Sequence, residues 1–276
     1  MRVKKDIIKY IFPLVLLVVI GGMMINSSIS ALKKQKEEEI VKQKILIEQQ
    51  LKKDAETRLY LLGKFNPSDR EDFVHVPKEY NMSGYTTYLR KEALEAFIQM
   101  AETAKKENVD LQIVSAVRNF NSQKKIWDDK WTGVTLVDGK KLNESIPDGL
   151  ERFKKILEYS SVPSTSRHHW GTDIDINMTV PYYFQTEAGR KVYEWLVVNA
   201  ASFGFCQPYT AKGQARPTGY NEEKWHWSYL PLAKEFTEKY KALVTNNDIA
   251  GFAGDENVKR MNLVNDYVLG INPECL

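Results

Sequence analysis

The chain begins with a pattern typical of a membrane-inserting segment. An apolar run extends from Tyr10 to Ile25, and no charged residue follows it until Lys33. Four basic residues precede the run, namely Arg2, Lys4, Lys5 and Lys9. Because a bilayer span needs ~17–25 predominantly apolar residues, the uncharged stretch as far as Leu32 is long enough to cross a membrane. The basic flank predicts that the bulk of the chain lies outside the cytoplasm.

Two alternatives stay open for this segment, a retained anchor and a cleaved signal peptide. Ser28 and Ser30 are small enough for a cleavage site, but the uncharged stretch exceeds the ~7–15 residues of a signal-peptide core. That length favours an anchor, in which residues 1–31 form a cytoplasmic tip and a membrane helix. The protein is therefore expected to be membrane-anchored through its N-terminal helix.

The next segment has the composition of a solvated helix. Lys, Glu and Gln dominate residues 32–58, which contain neither Gly nor Pro, and such a composition favours continuous helix. We expect residues 32–56 to form a charged helical stalk. Residues 57–276 have the mixed composition of a globular domain.

Within that domain the hydrophobic spacing predicts alternating helices and short strands. Leu94, Phe97, Ile98 and Ala101 follow the helical period and indicate a helix over residues 89–107. Strands are predicted at 109–117, 166–177, 203–206 and 225–229, and helices at 191–201 and 231–244. Between them, residues 122–159 are predicted to be helical or irregular, with a turn at Asp138 and Gly139. This order indicates a mixed α+β fold.

Composition and charge exclude several classes of protein. The 39 Lys and Arg against 36 Asp and Glu give a net charge of +3, which argues against a nucleic-acid partner. With 43% hydrophobic residues, the chain can build a core and is not disordered throughout. The only cysteines are Cys206 and Cys275. They could pair in an exported protein, but the sequence does not show their proximity.

Candidate metal-binding residues lie in two short stretches. The chain has only four histidines, and three of them fall in the segments 166–177 and 222–229. Catalytic zinc takes three ligands from His and carboxylates, with a further carboxylate nearby to accept a proton from water. Because strand side chains alternate, His168 and His169 are expected to face apart, and a loop at Trp170 and Gly171 could return His168 towards Asp175. We also expect a turn at Glu223 before the strand that carries His226.

These stretches carry a resemblance to a known family. The pattern Ser166-x-His168-x-x-Gly171, then Asp175, then Glu223-x-Trp225-His226 resembles the VanY-type zinc D-alanyl-D-alanine carboxypeptidases, which share a metallopeptidase fold group with lysostaphin and the hedgehog N-terminal domains. The resemblance implies a small antiparallel sheet flanked by helices. It implies Zn²⁺ ligands at His168, Asp175 and His226 and a general base at Glu223. An upstream element matches Arg118 as a catalytic and substrate-binding residue and Gln123 as a substrate-binding residue, and Ser166 is assigned to the substrate as well.

The function implied is removal of the terminal D-Ala from peptidoglycan stem peptides by zinc-activated water, with the enzyme on the periplasmic or cell-wall side of the membrane. Two alternatives are an endopeptidase on the same scaffold and a catalytically silent, membrane-tethered wall-binding module. The oligomeric state is left open.

Two features depart from the family pattern. Asp173 occupies a position that is usually small, and its carboxylate could accept a hydrogen bond from a ligand histidine or change the charge of the site. The region 124–165 is longer than a minimal member needs, and we expect such an insertion to influence substrate specificity.

Overall fold

The N-terminal part of the chain is a single long helix. The computed structural model describes the backbone of residues 3–276 and the side chains from residue 16 onward. Helix α1 spans Val3–Leu61. Its part from Leu16 contains an 18-residue stretch with a mean hydropathy of 1.6, which is apolar enough to cross a membrane. This confirms the predicted helix through residues 32–58. The basic residues before Tyr10 lie outside the described side chains. That the segment is a retained anchor and not a cleaved signal peptide stays a prediction.

The chain divides into two compact units, residues 1–55 and residues 56–276. The second unit contains two antiparallel sheets. One pairs β1 (Phe73–His75) with β2 (Tyr88–Arg90). The other has four strands in the order β3-β4-β6-β5. Its strands are β3 (Ile113–Ser115), β4 (Asp173–Ile176), β5 (Phe205–Cys206) and β6 (His226–Tyr229).

Six further helices surround these sheets. They are α2 (Lys91–Lys106), α3 (Phe120–Trp131), α4 (Leu142–Ser145), α5 (Gly149–Ile156), α6 (Glu187–Asn199) and α7 (Leu230–Leu243). The α+β class with a small antiparallel sheet is therefore confirmed. The predicted helix at 89–107 is α2, whose apolar face is buried at Leu94, Phe97 and Ala101. The side chain of Phe97 is completely buried in the main core, which also includes Ile174 and Trp227.

The strand predicted over residues 109–117 is shorter in the structure. Only Ile113–Ser115 pairs with β4, and the register of this pairing shifts between Ile113 and Ser115. The ladder stops because Asn177 adopts a left-handed backbone with φ of 62° and its side chain replaces the ladder, accepting a hydrogen bond from the Gln112 backbone N–H at 2.7 Å. Left-handed geometry is tolerated by Asn better than by most residues. The shortened strand places Arg118 three residues beyond its end.

A second core packs the 124–165 region against the C-terminal segment. Trp127 of α3 makes edge contacts with Phe153 of α5 and with Phe252. Its indole N–H donates to the Ala253 carbonyl at 2.8 Å. The turn predicted at Asp138 and Gly139 is present, with both residues at positive φ. The region 124–165 is thus built on a core of its own and is not a loose insertion.

A disulfide joins the C-terminus to the edge of the four-stranded sheet. Cys206 of β5 pairs with Cys275, with Cα atoms 5.8 Å apart. Nearby, the Asn272 N–H donates to the Pro208 carbonyl at 2.8 Å. Disulfides persist in oxidising compartments, so this bond is in keeping with a domain outside the cytoplasm.

Removing this disulfide is expected to destabilise the protein. The bond links residues 69 apart in sequence, and a native disulfide of that kind contributes about 2–5 kcal/mol, mainly by restricting the unfolded chain. We expect the double variant Cys206→Ser, Cys275→Ser to unfold at a lower urea concentration than the full-length wild type. A reducing agent should lower the wild-type midpoint and leave that of the variant unchanged. Equal midpoints would show that the bond contributes nothing.

Candidate metal centre

Three buried side chains from different parts of the sequence converge at the sheet. His168, Asp175 and His226 each present one ligand atom, and these atoms all lie within 4.8 Å of one another. An Asp175 carboxylate oxygen, Oδ1, is 3.3 Å from His168 Nε2 and 3.2 Å from His226 Nδ1. All three residues are at most 3% exposed. This is the set that the sequence analysis assigned as metal ligands.

The sheet register brings two of the three together. Asp175 on β4 is the direct cross-strand partner of His226 on β6, so their side chains emerge side by side on one face of the sheet. Ser115 on β3 is the partner of Asp175 on the other side. Because these strands pair, Asp175 and His226 can contribute to one metal site although they are 51 residues apart in the sequence.

His168 reaches the same point through a tight turn. Residues Arg167–Trp170 form a 3-10 helix that ends at Gly171, whose backbone is left-handed with φ of 68°. A Cβ at Gly171 would collide with the Phe73 ring. The turn predicted at Trp170 and Gly171 is therefore present. The prediction of strand from residue 166 was wrong, because the chain coils here before β4 begins at Asp173.

The two adjacent histidines face apart, as predicted, although they lie on a 3-10 helix and not on the strand from which this was argued. His169 Nδ1 lies 2.6 Å from the Arg118 carbonyl oxygen, and its Nε2 accepts the Ser164 backbone N–H at 3.0 Å. Both ring nitrogens are thus occupied by backbone groups. Burial lowers the pKa of His169 to about 3, so the ring is neutral and fastens the turn to the Arg118 loop.

Hydrogen bonds behind the two candidate ligand histidines fix which nitrogen is free. His168 Nδ1 is 2.8 Å from the Ala116 carbonyl, which can only accept, so His168 Nε2 carries the free lone pair. His226 Nε2 is 2.9 Å from Asp173 Oδ2 and donates to it, so Nδ1, which faces Asp175, is the nitrogen that becomes free when the ring loses a proton. Carboxylate and carbonyl partners of this kind orient metal-binding histidines. The predicted hydrogen bond between Asp173 and a candidate ligand histidine is present, and the ligand role of His226 stays a prediction.

Asp173 itself is held in a buried network. Its Oδ2 accepts from Arg167 Nε at 3.1 Å, and its Oδ1 accepts from Thr172 Oγ1 at 2.6 Å and from Ser228 Oγ at 2.8 Å. Arg167 and Asp173 are both completely buried. Burial alone would raise the pKa of Asp173, but the charges and hydrogen bonds of Arg167 and His226 lower it well below its usual range. The carboxylate therefore stays ionised behind His226.

The three residues fit a metal ion. His168 Nε2 and Asp175 Oδ1 are buried without a hydrogen-bond partner among the described residues. Buried polar atoms are rarely left unpaired, since each costs the free energy of its lost hydration. Two imidazole nitrogens and one carboxylate oxygen form a donor set that zinc uses in open sites. A bound ion would satisfy atoms that the protein leaves free.

We expect Asp173→Asn to weaken zinc binding by about 10–100-fold, the usual effect of losing such an outer partner. The amide keeps the shape of the carboxylate but lacks the charge that orients and polarises His226. Zinc affinity can be measured by competition with a chelating dye on the folded, full-length protein. Asp129→Asn, on the outer side of α3, serves as the matched control. Equal affinities for wild type and Asp173→Asn would contradict the role assigned to Asp173.

Glu223 lies beside the three residues, at the turn that precedes β6. The His226 N–H donates to the Glu223 carbonyl at 3.2 Å, which confirms the predicted turn. Glu223 Oε2 is 3.5 Å from His226 Nδ1. The backbone of Glu223 is fixed on both sides, by its N–H to the Tyr209 carbonyl at 2.9 Å and by its carbonyl to Gln207 Nε2 at 3.1 Å. Burial raises the pKa of Glu223 to about 8.

Zinc binding is expected to strengthen with rising pH and to release protons. Burial opposes the charged form of His226, but the hydrogen bond that the ring donates to Asp173 and the negative charge of Asp175 outweigh it and raise the pKa of the metal-free ring to about 9. Below that pH a metal must displace the proton, and the cost disappears as the pH rises through 9. Calorimetric titrations at pH 7 in buffers of different ionisation enthalpy should show at least one proton released. A binding heat independent of buffer would contradict this.

The other residues singled out from the sequence lie nearby. Arg118 lines the same cavity, and its Nη2 is 3.8 Å from Asp175 Oδ2. Gln123, in the first turn of α3, lines it too. Gln123 Nε2 donates to the Ser161 carbonyl at 2.7 Å, while its Oε1 has no partner among the described residues. Ser166 is buried with an unpartnered hydroxyl and is not among the residues that line the cavity.

The cavity has a volume of about 320 Å³ and contains residues that the sequence analysis did not assign. Tyr209 packs on His226 with ring centroids 4.7 Å apart, and burial raises its pKa well above the usual value. Lys130 enters from the last turn of α3. Tyr159 and Ser160 enter from the segment after α5. No local motif marks these residues, because only the packing of 124–165 brings them to the site.

Comparisons with known proteins show the family of this chain. The profile of the VanY family, described as D-alanyl-D-alanine carboxypeptidase, matches residues 86–232. YodJ of Bacillus subtilis (strain 168), a proposed carboxypeptidase, is 28% identical over 203 residues, which are 73% of this chain and 65% of YodJ. A D-alanyl-D-alanine carboxypeptidase of Enterococcus faecalis (strain ATCC 700802 / V583) is 25% identical over 185 residues, 65% of this chain and 60% of that protein.

Among solved structures, the LdcB LD-carboxypeptidase is 26% identical, with a TM-score of 0.45 over 66% of this chain and 77% of LdcB. The matched part of this chain corresponds to somewhat less than two thirds of the length of YodJ and of the Enterococcus faecalis carboxypeptidase. The family profile covers more than half of the chain and includes Arg118, Glu223 and all three convergent residues. The chain belongs to the VanY family of D-alanyl-D-alanine carboxypeptidases.

Proposed function

We propose that the protein is a zinc-dependent D,D-carboxypeptidase that removes the terminal D-Ala from peptidoglycan stem peptides. Family membership supports the reaction class. The observation that carries the proposal is the buried convergence of His168, Asp175 and His226 beside Glu223, in a cavity open to a peptide. No nucleophilic Ser or Cys is required for this reaction.

His168, Asp175 and His226 would hold the zinc ion. Zinc bound there would polarise the scissile carbonyl and lower the pKa of a water molecule. The protein prepares the ligands in advance, because the Ala116 carbonyl and the Asp173 carboxylate fix the free nitrogen of each histidine. Little reorganisation is then needed when the metal arrives.

Glu223 would act as the general base and then as the general acid. Its carboxylate lines the cavity and lies 3.5 Å from His226 Nδ1. From this position it can take a proton from the attacking water and pass it to the amine of the departing D-Ala. A carboxyl group whose pKa is raised towards the working pH serves both transfers well.

Arg118 and Gln123, which line the cavity, are proposed to bind the substrate, whereas the substrate role of Ser166, which does not line it, stays a prediction. The guanidinium of Arg118 is close to Asp175 and can stabilise negative charge that develops on the carbonyl oxygen, or pair with a carboxylate through two hydrogen bonds. Gln123 Oε1 is a free buried acceptor suited to a peptide N–H.

The N-terminal helix and the disulfide support a location where this substrate is found. Helix α1 carries the apolar stretch needed for an anchor, and the Cys206–Cys275 bond suits an oxidising compartment. A membrane-tethered enzyme on the periplasmic or cell-wall side would meet stem peptides there.

Product analysis by mass tests this proposal. The full-length protein in detergent is incubated with a stem pentapeptide ending in D-Ala-D-Ala, with zinc, with a chelator, and with zinc restored after chelation. We expect release of one free D-Ala, its loss with chelator and its recovery with zinc. Cleavage within the peptide would favour the endopeptidase, and release from a tetrapeptide only would favour an L,D-carboxypeptidase. Bound zinc without any turnover would favour a wall-binding module.

A further inference from the structure

Lys130 brings an ammonium group into the cavity that the mechanism above does not use. It lies in the last turn of α3 and lines the cavity together with Gln123 and Ile126. The intervals of three and four residues place all three on one face of the helix. Lys130 is therefore held by the same rigid element that positions Gln123.

The ammonium group of Lys130 has different partners from those of the other lysines on α3. Lys124 pairs with Asp128, and Lys125 pairs with Asp129 at 2.6 Å. Among the described residues, Lys130 has no carboxylate within 4.0 Å and makes its hydrogen bond to the Ser160 hydroxyl instead. The two solvent-side lysines are neutralised by the protein, whereas the one that enters the cavity is not.

Leaving this ammonium unpaired has a cost that a ligand could offset. Burial lowers the pKa of Lys130 and the nearby charge of Arg118 lowers it further, and the negative charge of Glu223 offsets only part of this. Taking an unpaired charge out of water is unfavourable unless an opposite charge meets it. The Ser160 hydroxyl, only 6% exposed, fixes the direction of the ammonium group. Ser160 thus orients the Lys130 ammonium group in a position where it can bind an anion.

Arg118 and Lys130 are placed for different parts of one substrate. The Arg118 guanidinium is 3.8 Å from Asp175, one of the three convergent residues, so under the proposed function it would lie beside the scissile carbonyl. Lys130 has no such contact with Asp175 or Glu223, yet opens into the same cavity. Neighbouring residues of a peptide are about 3.8 Å apart along the backbone. A carboxylate close to the scissile bond could therefore reach Lys130.

We propose that Lys130, oriented by Ser160, is a specificity-determining residue that binds a carboxylate of the peptide substrate. This rests on the proposed carboxypeptidase function and adds to it a subsite within the 124–165 region. The carboxylate can come from the C-terminus of the peptide or from an acidic group further upstream. Both have the same chemistry, and the experiment separates them.

The test compares Lys130→Met with wild type on matched peptides. The peptides are one ending in D-Ala-D-Ala with a free terminal carboxylate and no other acid, its C-terminal amide, and a longer free acid with one upstream carboxylate. Hydrogen bonds to charged groups contribute enough that we expect Lys130→Met to raise KM by about 10–100-fold with kcat little changed. If Lys130 binds the terminal carboxylate, Lys130→Met should raise the KM of the free-acid peptide that has no other acidic group. If Lys130→Met raises the KM of only the longer peptide, Lys130 binds the upstream carboxylate.

Binding measurements keep the test independent of turnover. In the Glu223→Gln background, Lys130→Met should bind the free acid and the amide equally, whereas the background itself should prefer the acid. Lys130→Arg should retain part of that preference because it keeps the charge. Lys125→Met, on the solvent side of the same helix, is the matched control and should behave as the background does.

Two outcomes would overturn the assignment of Lys130. One is unchanged binding and KM on every peptide, and the other is an equal loss on free acid and amide. Zinc content and the urea midpoint of each variant verify that the fold is retained. A wild-type protein that cleaves none of the peptides would contradict the proposed function, and the binding comparison would still decide the role of Lys130.

Discussion

Glu223→Gln is expected to lower the rate of D-Ala release by at least ~10²–10⁴-fold, the usual contribution of general acid–base catalysis. The amide has nearly the shape of the carboxylate but cannot accept the proton of the attacking water. Glu223 is buried, and its backbone is fixed on both sides by Tyr209 and Gln207. The substitution should therefore leave the turn before β6 in place. Zinc content is expected to persist, because the ligand atoms come from other residues.

Glu222→Gln is the control for this prediction. It changes the adjacent residue, which is more exposed and does not line the cavity, and its turnover should match the wild type. Near-full turnover of Glu223→Gln would move the role of base to another group. Asp173 was the next candidate from the sequence. The structure argues against it, since both of its oxygens accept hydrogen bonds from buried groups and it does not line the cavity.

His226→Ala is expected to remove most of the bound zinc. The substitution deletes one of three ligands and leaves Asp173 and Asp175 without the imidazole that lies between them. Zinc is measured by elemental analysis of the full-length protein after dialysis against a weak chelator. D-Ala release should fall in parallel and should not recover at moderate added zinc.

His75→Ala is the matched control for the loss of a histidine. His75 lies at the end of β1 and is exposed, so its removal should change neither zinc content nor activity. The His226 ring also packs against Tyr209, and the urea midpoint of His226→Ala therefore has to be measured alongside. Retention of stoichiometric zinc by a folded His226→Ala protein would contradict its role as a ligand.

Much of the site could be predicted because its information is local. Strand alternation sets Asp173 and Asp175 on one face, and the glycine at position 171 marks the turn that returns His168. The short motif around Glu223 and His226 indicates a turn followed by a strand. These features depend on backbone geometry within a few residues, which the sequence specifies directly.

What the sequence did not predict depends on contacts between distant segments. The pairing of Asp175 with His226 requires the strand order β3-β4-β6-β5, which no local pattern encodes. The second core packs Trp127 and Phe153 against residues after 246, and no periodicity in the sequence predicts this contact. Tyr209 and Lys130 reach the cavity only as a result of this packing. The 3-10 helix at Arg167–Trp170 was mistaken for strand because four residues are too few for their spacing to distinguish one helical turn from a strand.

The most direct test of the account is a crystal structure of the protein grown with zinc, with anomalous diffraction recorded on both sides of the zinc absorption edge. We predict a single strong peak between the three residues, with His168 Nε2, Asp175 Oδ1 and His226 Nδ1 at about 2.0–2.2 Å from the ion. A peak bound by other residues, or none between these three at saturating zinc, would contradict the metal centre on which the proposed function depends.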